Sequence, residues 1–326
     1  MNLLVALALL AHAPRPLALP WKELAPGVES ATVADLGGDA NWAAKVVLVE
    51  PGRATFAVRY DPARPTIAEW RARYPDALAI VNGSFYSTDG PAGAEVRPTC
   101  DVIAAGRSVR GAGCHRQDAL FFAAQARAPA TQVAPAPQGA AAPQSAPAAA
   151  PQTAALQRAV PSKAAAPRVP DAKVAPASSN VAASNVAASN PASSSAGASA
   201  PTAPQILAGP EFRAEQWTEA LKSFPALVHA GVPACLGVHY CAESSRTAAV
   251  AQLRDGRIVL FASQWPAIRK NVGAWLAQDL GAVEALNLDG GPEATLALHG
   301  EPLEDIIGTQ GVGLPMVIVL LPPASR

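Results

Sequence analysis

The chain has 326 residues, with 25 basic side chains balanced by 25 acidic ones, and only 15% of its residues are charged. That balance excludes the broad positive field expected of a protein that holds nucleic acid or anionic lipid. Half of the residues are hydrophobic, yet 32 are proline, and the prolines fall so unevenly that one long stretch cannot belong to a core.

Residues 1–18 read as a signal peptide. The short apolar run 3–11 ends in Ala11-His12-Ala13, the small-x-small pattern of a signal-peptidase site. The run is too short to span a bilayer, so the expectation is a secreted or periplasmic protein with no stable membrane span after cleavage. Short apolar bursts at 28–34, 45–49, 54–60 and 77–81 then predict strands. Between the last two, Thr66 followed three residues later by Glu69 forms a capping-box pattern. Ile67, Trp70 and Tyr74 share a face, and Pro75 ends the predicted helix over 66–74.

From residue 126 to 205 the chain is almost wholly Ala, Pro, Ser, Gln and Asn, without one aromatic side chain. Such a segment cannot bury enough apolar surface to offset the entropy of ordering, and it is predicted to be a disordered insert. It holds a five-residue repeat, Asn180-Val181-Ala182-Ala183-Ser184 and again from Asn185, too short for a solenoid unit. Its five basic residues against one acidic leave the rest of the chain mildly acidic, at 20 against 24.

After the insert, residues 215–222 are predicted helical, and 226–229 and 246–253 as strands. Asp255-Gly256 marks a hairpin turn into a strand at 258–263. A second helix is predicted from Asn271, with Val272, Trp275, Leu276 and Leu280 on one face and Gly281 as its stop. Strands at 283–288, 294–298 and 316–321 follow. Many strands with few helices give an α+β fold, with a mixed, mainly antiparallel sheet and a few packed helices. Neither half has enough elements for a core alone, so 19–125 and 206–326 are expected to form one domain interrupted by the insert. Loop-closure entropy permits this, since each doubling of loop length costs only about 0.6 kcal/mol.

The four cysteines suit an oxidising compartment and allow three pairings. Closing the two short loops, Cys100 with Cys114 and Cys235 with Cys241, is the expected one. The spacings are wrong for a zinc site, no two histidines have helical metal-ligand spacing, and no nucleotide-binding or zincin motif is present. No metal or cofactor is expected.

Two segments could carry chemistry. In Leu286-Asn287-Leu288-Asp289-Gly290-Gly291 a strand ends in a carboxylate and two glycines that let a ligand approach the main chain. In Val81-Asn82-Gly83-Ser84-Phe85-Tyr86 a strand ends in an amide followed by aromatics, so Asn82 could donate to a phosphate or sugar while Phe85 or Tyr86 supplies a stacking wall. Each is also a plain turn pattern taken alone.

Taken together with Pro225-Ala226-Leu227-Val228, Arg246-Thr247-Ala248 and Asp255-Gly256, these motifs stand in the order seen in the phosphodiester glycosidases, and the chain resembles that family outside the leader and the insert. The resemblance implies an exported hydrolase of glycosyl phosphodiesters, acting on a sugar-1-phosphate linkage in a surface glycan or conjugate. The rival reading is a non-catalytic glycan-binding or envelope-associated protein on the same fold. On this resemblance Asp289 is the central carboxylate, with Glu95 or Glu293 as its partner. Substrate is expected to meet Asn82, Gly83, Phe85, Arg246, Asn287, Gly290, Gly291, Thr295 and His229. Glu293 is a departure, because small hydroxyl residues usually follow the two glycines in the family and here only Thr295 restores one.

Overall fold

Apolar runs long enough to be buried on both faces build this protein. In Ile258–Ser263 and Ala44–Val49 every residue is buried, and odd and even positions go to different cores. Val47, Val49, Ile258 and Leu260 face one cluster, and Val46, Leu48, Val259 and Phe261 face another. Continuous rather than alternating hydrophobicity is what a sheet covered on both sides requires. The computed structural model describes residues 19–33, 43–87, 96–114, 118–126, 203–235 and 239–323. The leader 1–18, nearly all of the insert and Glu95 lie outside the described residues.

The described strands form three main sheets, and every pairing among them is antiparallel. The largest has eight strands in the order Lys22–Ala25, Val28–Val33, Ala44–Val49, Ile258–Ser263, Ala248–Leu253, Ala282–Asn287, Ala226–His229 and Val232–Pro233. A four-stranded sheet runs Leu296–Leu298, Ala79–Asn82, Met316–Leu321, Thr55–Tyr60. A five-stranded sheet runs Gln205–Ala208, Leu120–Ala126, Trp217–Ser223, Val102–Ala104, Arg107–Val109. The central cluster takes side chains from all three, including Leu286 from the first, Phe56 and Ile318 from the second and Phe122 and Leu221 from the third. Each such side chain contributes about 1.5–3 kcal/mol on full burial.

Helices cover the outer faces. Ile67–Arg73 carries the expected capping box, with Thr66 Oγ1 accepting from Glu69 N at 3.3 Å and the Glu69 carboxylate accepting from Thr66 N. It lays Ile67 and Trp70 on the four-stranded sheet. Arg269–Gln278 covers the eight-stranded sheet with Val272, Trp275 and Leu276, and Gly281 at φ +74° ends the turn that follows. Its start differs from the expectation at Asn271. Ile268 occupies the cap position without a side-chain hydrogen bond, and Asn271 lies inside the helix.

The segment expected as a helix at 215–222 is instead the strand Trp217–Ser223. Trp217, Glu219, Ala220, Leu221 and Ser223 are buried, and Glu219 is the physical reason for the difference. Its carboxylate accepts from Val58 N at 2.9 Å, Ala105 N at 3.1 Å and Arg59 Nη1 at 3.0 Å. A residue that looks like a solvent-facing helix position is the polar joint between two sheets. The strands bordering the insert, Leu120–Ala126 and Gln205–Ala208, pair with each other, so the chain leaves and re-enters at neighbouring positions and residues 126 and 205 themselves are strand. The described residues fall in one compact unit. Both expected disulfides, Cys100–Cys114 and Cys235–Cys241, are formed. Among the described residues no helix is long and apolar enough to cross a membrane.

Candidate functional site

The strands Ala79–Asn82 and Ala282–Asn287 lie in different sheets, yet their carboxyl ends meet. Asp289 N donates to Gly83 O at 2.9 Å, and Asn82 Nδ2 donates to Asp289 O at 2.8 Å. The amide of Asn82 also donates to Gly83 O at 3.2 Å, and its Oδ1 accepts from Thr295 N at 2.9 Å. Both of its donors and its acceptor are thus occupied by main chain, and the residue is 1% exposed. Asn82 holds the two strand ends together.

Asp289 follows as the chain leaves the eight-stranded sheet. Its Oδ1 accepts from Gly290 N at 2.9 Å. Burial pushes its carboxyl up to about 7, the negative charge of Glu293 adds to the rise, and the Gly290 N–H and the Arg269 guanidinium oppose it. Burial disfavours the charged form most when no cation lies close enough to compensate, and among the described residues no cation makes an ion pair with Asp289.

The two glycines are required by space and by backbone. A Cβ on Gly290 would stand 2.8 Å from Arg246 O and 3.3 Å from Arg269 Nη2. Gly291 has φ +63° and opens the short 3₁₀ turn Gly291–Glu293, where its N–H donates to Arg246 O at 2.9 Å. Arg246 clasps the same turn from its side chain. Nε donates to Gly291 O at 3.0 Å and Nη2 to Pro292 O at 3.2 Å, with a further contact to Thr309 Oγ1. Three of its N–H groups therefore hold protein, and the free bidentate edge expected of a phosphate clamp is reduced to Nη1.

Glu293 is held from the opposite strand end. Tyr86 Oη donates to Glu293 Oε1 at 3.1 Å and accepts from Arg64 Nη2 at 2.8 Å, while the Arg64 guanidinium also lies 5.0 Å over the Tyr86 ring. Burial and the charge of Glu293 push the Tyr86 phenol up to about 12, so it remains a donor. Arg64 stands at φ +57° and packs against Gly313, where a Cβ would lie 2.5 Å from Arg64 O.

Four residues expected to meet the ligand also pack or bond within the protein. Gly83 packs on Met316, whose Cγ would lie 2.5 Å from an added Cβ. Thr295 is buried and paired with Asn82, and Asn287 is fully buried with Nδ2 on Leu288 O at 2.6 Å. Phe85 stacks on Phe224 with centroids 4.8 Å apart, so its ring face already has a partner. His229 is a correction of place. It is exposed at the other end of its strand, where Nδ1 meets Glu284 Oε2 at 3.0 Å, and the extended chain from Glu284 to Asp289 spans roughly 15 Å. The residues that remain together around one point are Asp289, Glu293, Arg246, Gly290 and Gly291.

Arg269 joins them, and the sequence reading missed it. It is the first residue of its helix, is 9% exposed, and donates Nη1 to Tyr240 O at 2.7 Å. The only signal in the sequence was a basic residue in the first turn of a helix, where a cation opposes the helix dipole and needs another reason to be there. Three clefts of about 400, 570 and 490 Å³ open elsewhere, beside Tyr74, Lys45 and Phe121, and none includes Asp289. Among the described residues no group of three His, Cys, Asp or Glu side chains could hold a metal ion.

A family model described as phosphodiester glycosidase matches residues 174–319. The catalytic domain of zebrafish N-acetylglucosamine-1-phosphodiester alpha-N-acetylglucosaminidase, in a structure auto-inhibited by its pro-peptide, is similar over 94% of this chain and 86% of that one, at 13% identity and a TM-score of 0.52. A hypothetical protein from Synechocystis is similar over 93% and 64% of the two chains, at 14% identity and a TM-score of 0.48. No curated protein matches the sequence. The resemblance to the phosphodiester glycosidases therefore stands, with a family match in the second half of the chain and a shared fold across it.

Proposed function

We propose that the protein is an exported hydrolase of glycosyl phosphodiesters, with Asp289 as the carboxyl that handles the proton. The observation that supports this most directly is the place of Asp289, a buried carboxyl at the end of a strand with the Glu293 carboxylate and the Arg269 guanidinium near enough to act on it, where burial raises it to about 7. A group with that value is divided between acid and base near neutral pH, the range in which general acid–base catalysis is most effective.

The chemistry runs as follows. Water attacks the anomeric carbon and gives a proton to the Asp289 carboxylate. The bond from that carbon to the phosphate oxygen breaks, and its electron pair leaves with the phosphate. Positive charge builds on the sugar ring as the bond loosens, and the carboxylate of Glu293 offsets it. The departing phosphate carries its own negative charge, so protonation of the leaving oxygen contributes little.

The family match supports this choice of bond, and the two disulfides support export, since such bridges persist in oxidising compartments. The test is release of free sugar from an activated sugar-1-phosphodiester. Asp289→Asn should lower the rate by about 10²–10⁴-fold, and equal rates would sink the role given to Asp289. Run in isotope-labelled water, the reaction should place the label in the sugar; label in phosphate would mean cleavage on the other side of phosphorus. Saturable glycan binding without any product would favour the non-catalytic reading instead.

A further inference from the structure

Arg269 presents an unusual balance of charge. It is more than nine-tenths buried, and of its three nitrogens only Nη1 has a hydrogen bond, to Tyr240 O at 2.7 Å. Nε is buried without any acceptor. Among the described residues no carboxylate lies within ion-pair distance of it. A guanidinium withdrawn from water pays a desolvation cost that is offset only by a counter-charge or a full set of acceptors, and among the described residues Arg269 has one acceptor and no ion-pair partner, the Asp289 carboxylate acting on it only at longer range.

Its position shows what would. The Nη2 end lies 3.3 Å from where a Cβ of Gly290 would stand, so only a residue without a side chain leaves that nitrogen open toward the turn. Ser245 Oγ lies on the same side, 3.9 Å from that point and 3.7 Å from the equivalent point of Gly291. Arg246, by contrast, spends Nε and Nη2 on the carbonyls of the turn and on Thr309. One arginine builds the turn, and the other faces it with unused donors.

We infer that Arg269, rather than Arg246, is the principal cation for the phosphate group, holding it beside the Gly290-Gly291 turn with Ser245 as a neighbouring donor, since the N–H groups of both glycines are already spent on Asp289 and Arg246. The inference rests on the hydrolase reading for the identity of the anion, and it deepens that reading by assigning the phosphate subsite. Fork-shaped donors with fixed geometry match the tetrahedral oxygens of phosphate, and such charge-assisted bonds are about twice as strong as neutral ones.

The experiment is titration of the full chain with inorganic phosphate at one fixed pH, by calorimetry, for wild type, Arg269→Gln and Arg269→Lys. Phosphate affinity should fall about tenfold or more in Arg269→Gln and lie between the two in Arg269→Lys, which keeps the charge without the fork. Unchanged affinity in Arg269→Gln overturns the inference. Because Arg269 also bonds Tyr240 O, a variant could lose its fold, so the Arg269 Nε–H resonance of the wild type is followed as well. It should move on adding phosphate, and a resonance that stays fixed at saturation overturns the inference without any substitution. If phosphate binding depends on Arg269 but wild type releases no sugar from any glycosyl phosphodiester, the anion site stands and the hydrolase reading fails.

Discussion

Asn82 and Asp289 are 207 positions apart in the chain, and the side-chain amide of the first donates to the main-chain carbonyl of the second at 2.8 Å. That bond, with the return bond from Asp289 N to Gly83 O at 2.9 Å, ties a strand end of one sheet to a strand end of another. The candidate site exists because of this tie.

Replacing Asn82 by Ala removes two donors and one acceptor from a buried position and leaves Thr295 N without its partner. The expected loss is about 2–4 kcal/mol of stability from unsatisfied buried groups, read as a lower urea midpoint with an unchanged slope. Turnover should fall with it, since the Asp289 turn is no longer held. A variant of normal stability with only a raised KM would instead make Asn82 a substrate ligand.

The pH dependence of stability follows from the raised carboxyl of Asp289. Its folded value, about 7, lies above its ordinary 3.8, so between these values the folded state binds the proton more tightly than the unfolded chain. The stabilisation is complete below about pH 4 and is lost as pH rises through about 7, in all on the order of 4 kcal/mol. Asp289→Asn should abolish this part of the pH dependence and be relatively more stable than wild type above neutrality. Unfolding curves across that range check it, and parallel pH profiles for the two proteins would contradict it.

Glu293 raises the Asp289 carboxyl through its charge. Glu293→Gln should therefore move the Asp289 limb of the pH–rate profile toward acid while keeping the volume of the side chain. Tyr86→Phe removes the hydroxyl that donates to Glu293 Oε1, and it should lower the rate by less than Glu293→Gln does. A limb that stays put in Glu293→Gln would show that burial alone sets the value for Asp289.

Glu219 is a prediction about the scaffold. Its buried carboxylate serves Val58 N, Ala105 N and Arg59 at once. Glu219→Ala strands those donors, and breaking a buried pair of this kind costs about 3–5 kcal/mol. Denaturant unfolding should show the loss, and a change under 1 kcal/mol, about the worth of a surface pair, would mean that water replaces the carboxylate.

Much of the fold was legible in local pattern. The capping box at Thr66, the Asp-Gly hairpin at residue 255 and the apolar strands around Val47 and Leu260 are dictated by neighbours a few residues away, and they stand in the structure as expected. The segment 215–222 was misread because Glu215, Glu219 and Lys222 resemble the polar face of a helix, and nothing nearby reveals that Glu219 meets Val58 across another sheet. Of the site, the sequence marked Asp289 and its glycines through a strand that ends in a carboxylate. It also marked Asn82 and Arg246, and only the structure shows that each bonds the protein main chain. Arg269 carries no local motif at all.

Outside Trp217–Ser223, local order determines which of the expected segments are strands and which polar groups stand near their ends, since these depend on the period of hydrophobicity and on turn chemistry over a few bonds. Which of those ends share a pocket, which amide is a staple and which arginine is left with donors to spare depended on packing three sheets around one core. Hydrogen-bond capacity is finite, and a side chain's partners are chosen by whatever the fold brings within about 3 Å of it.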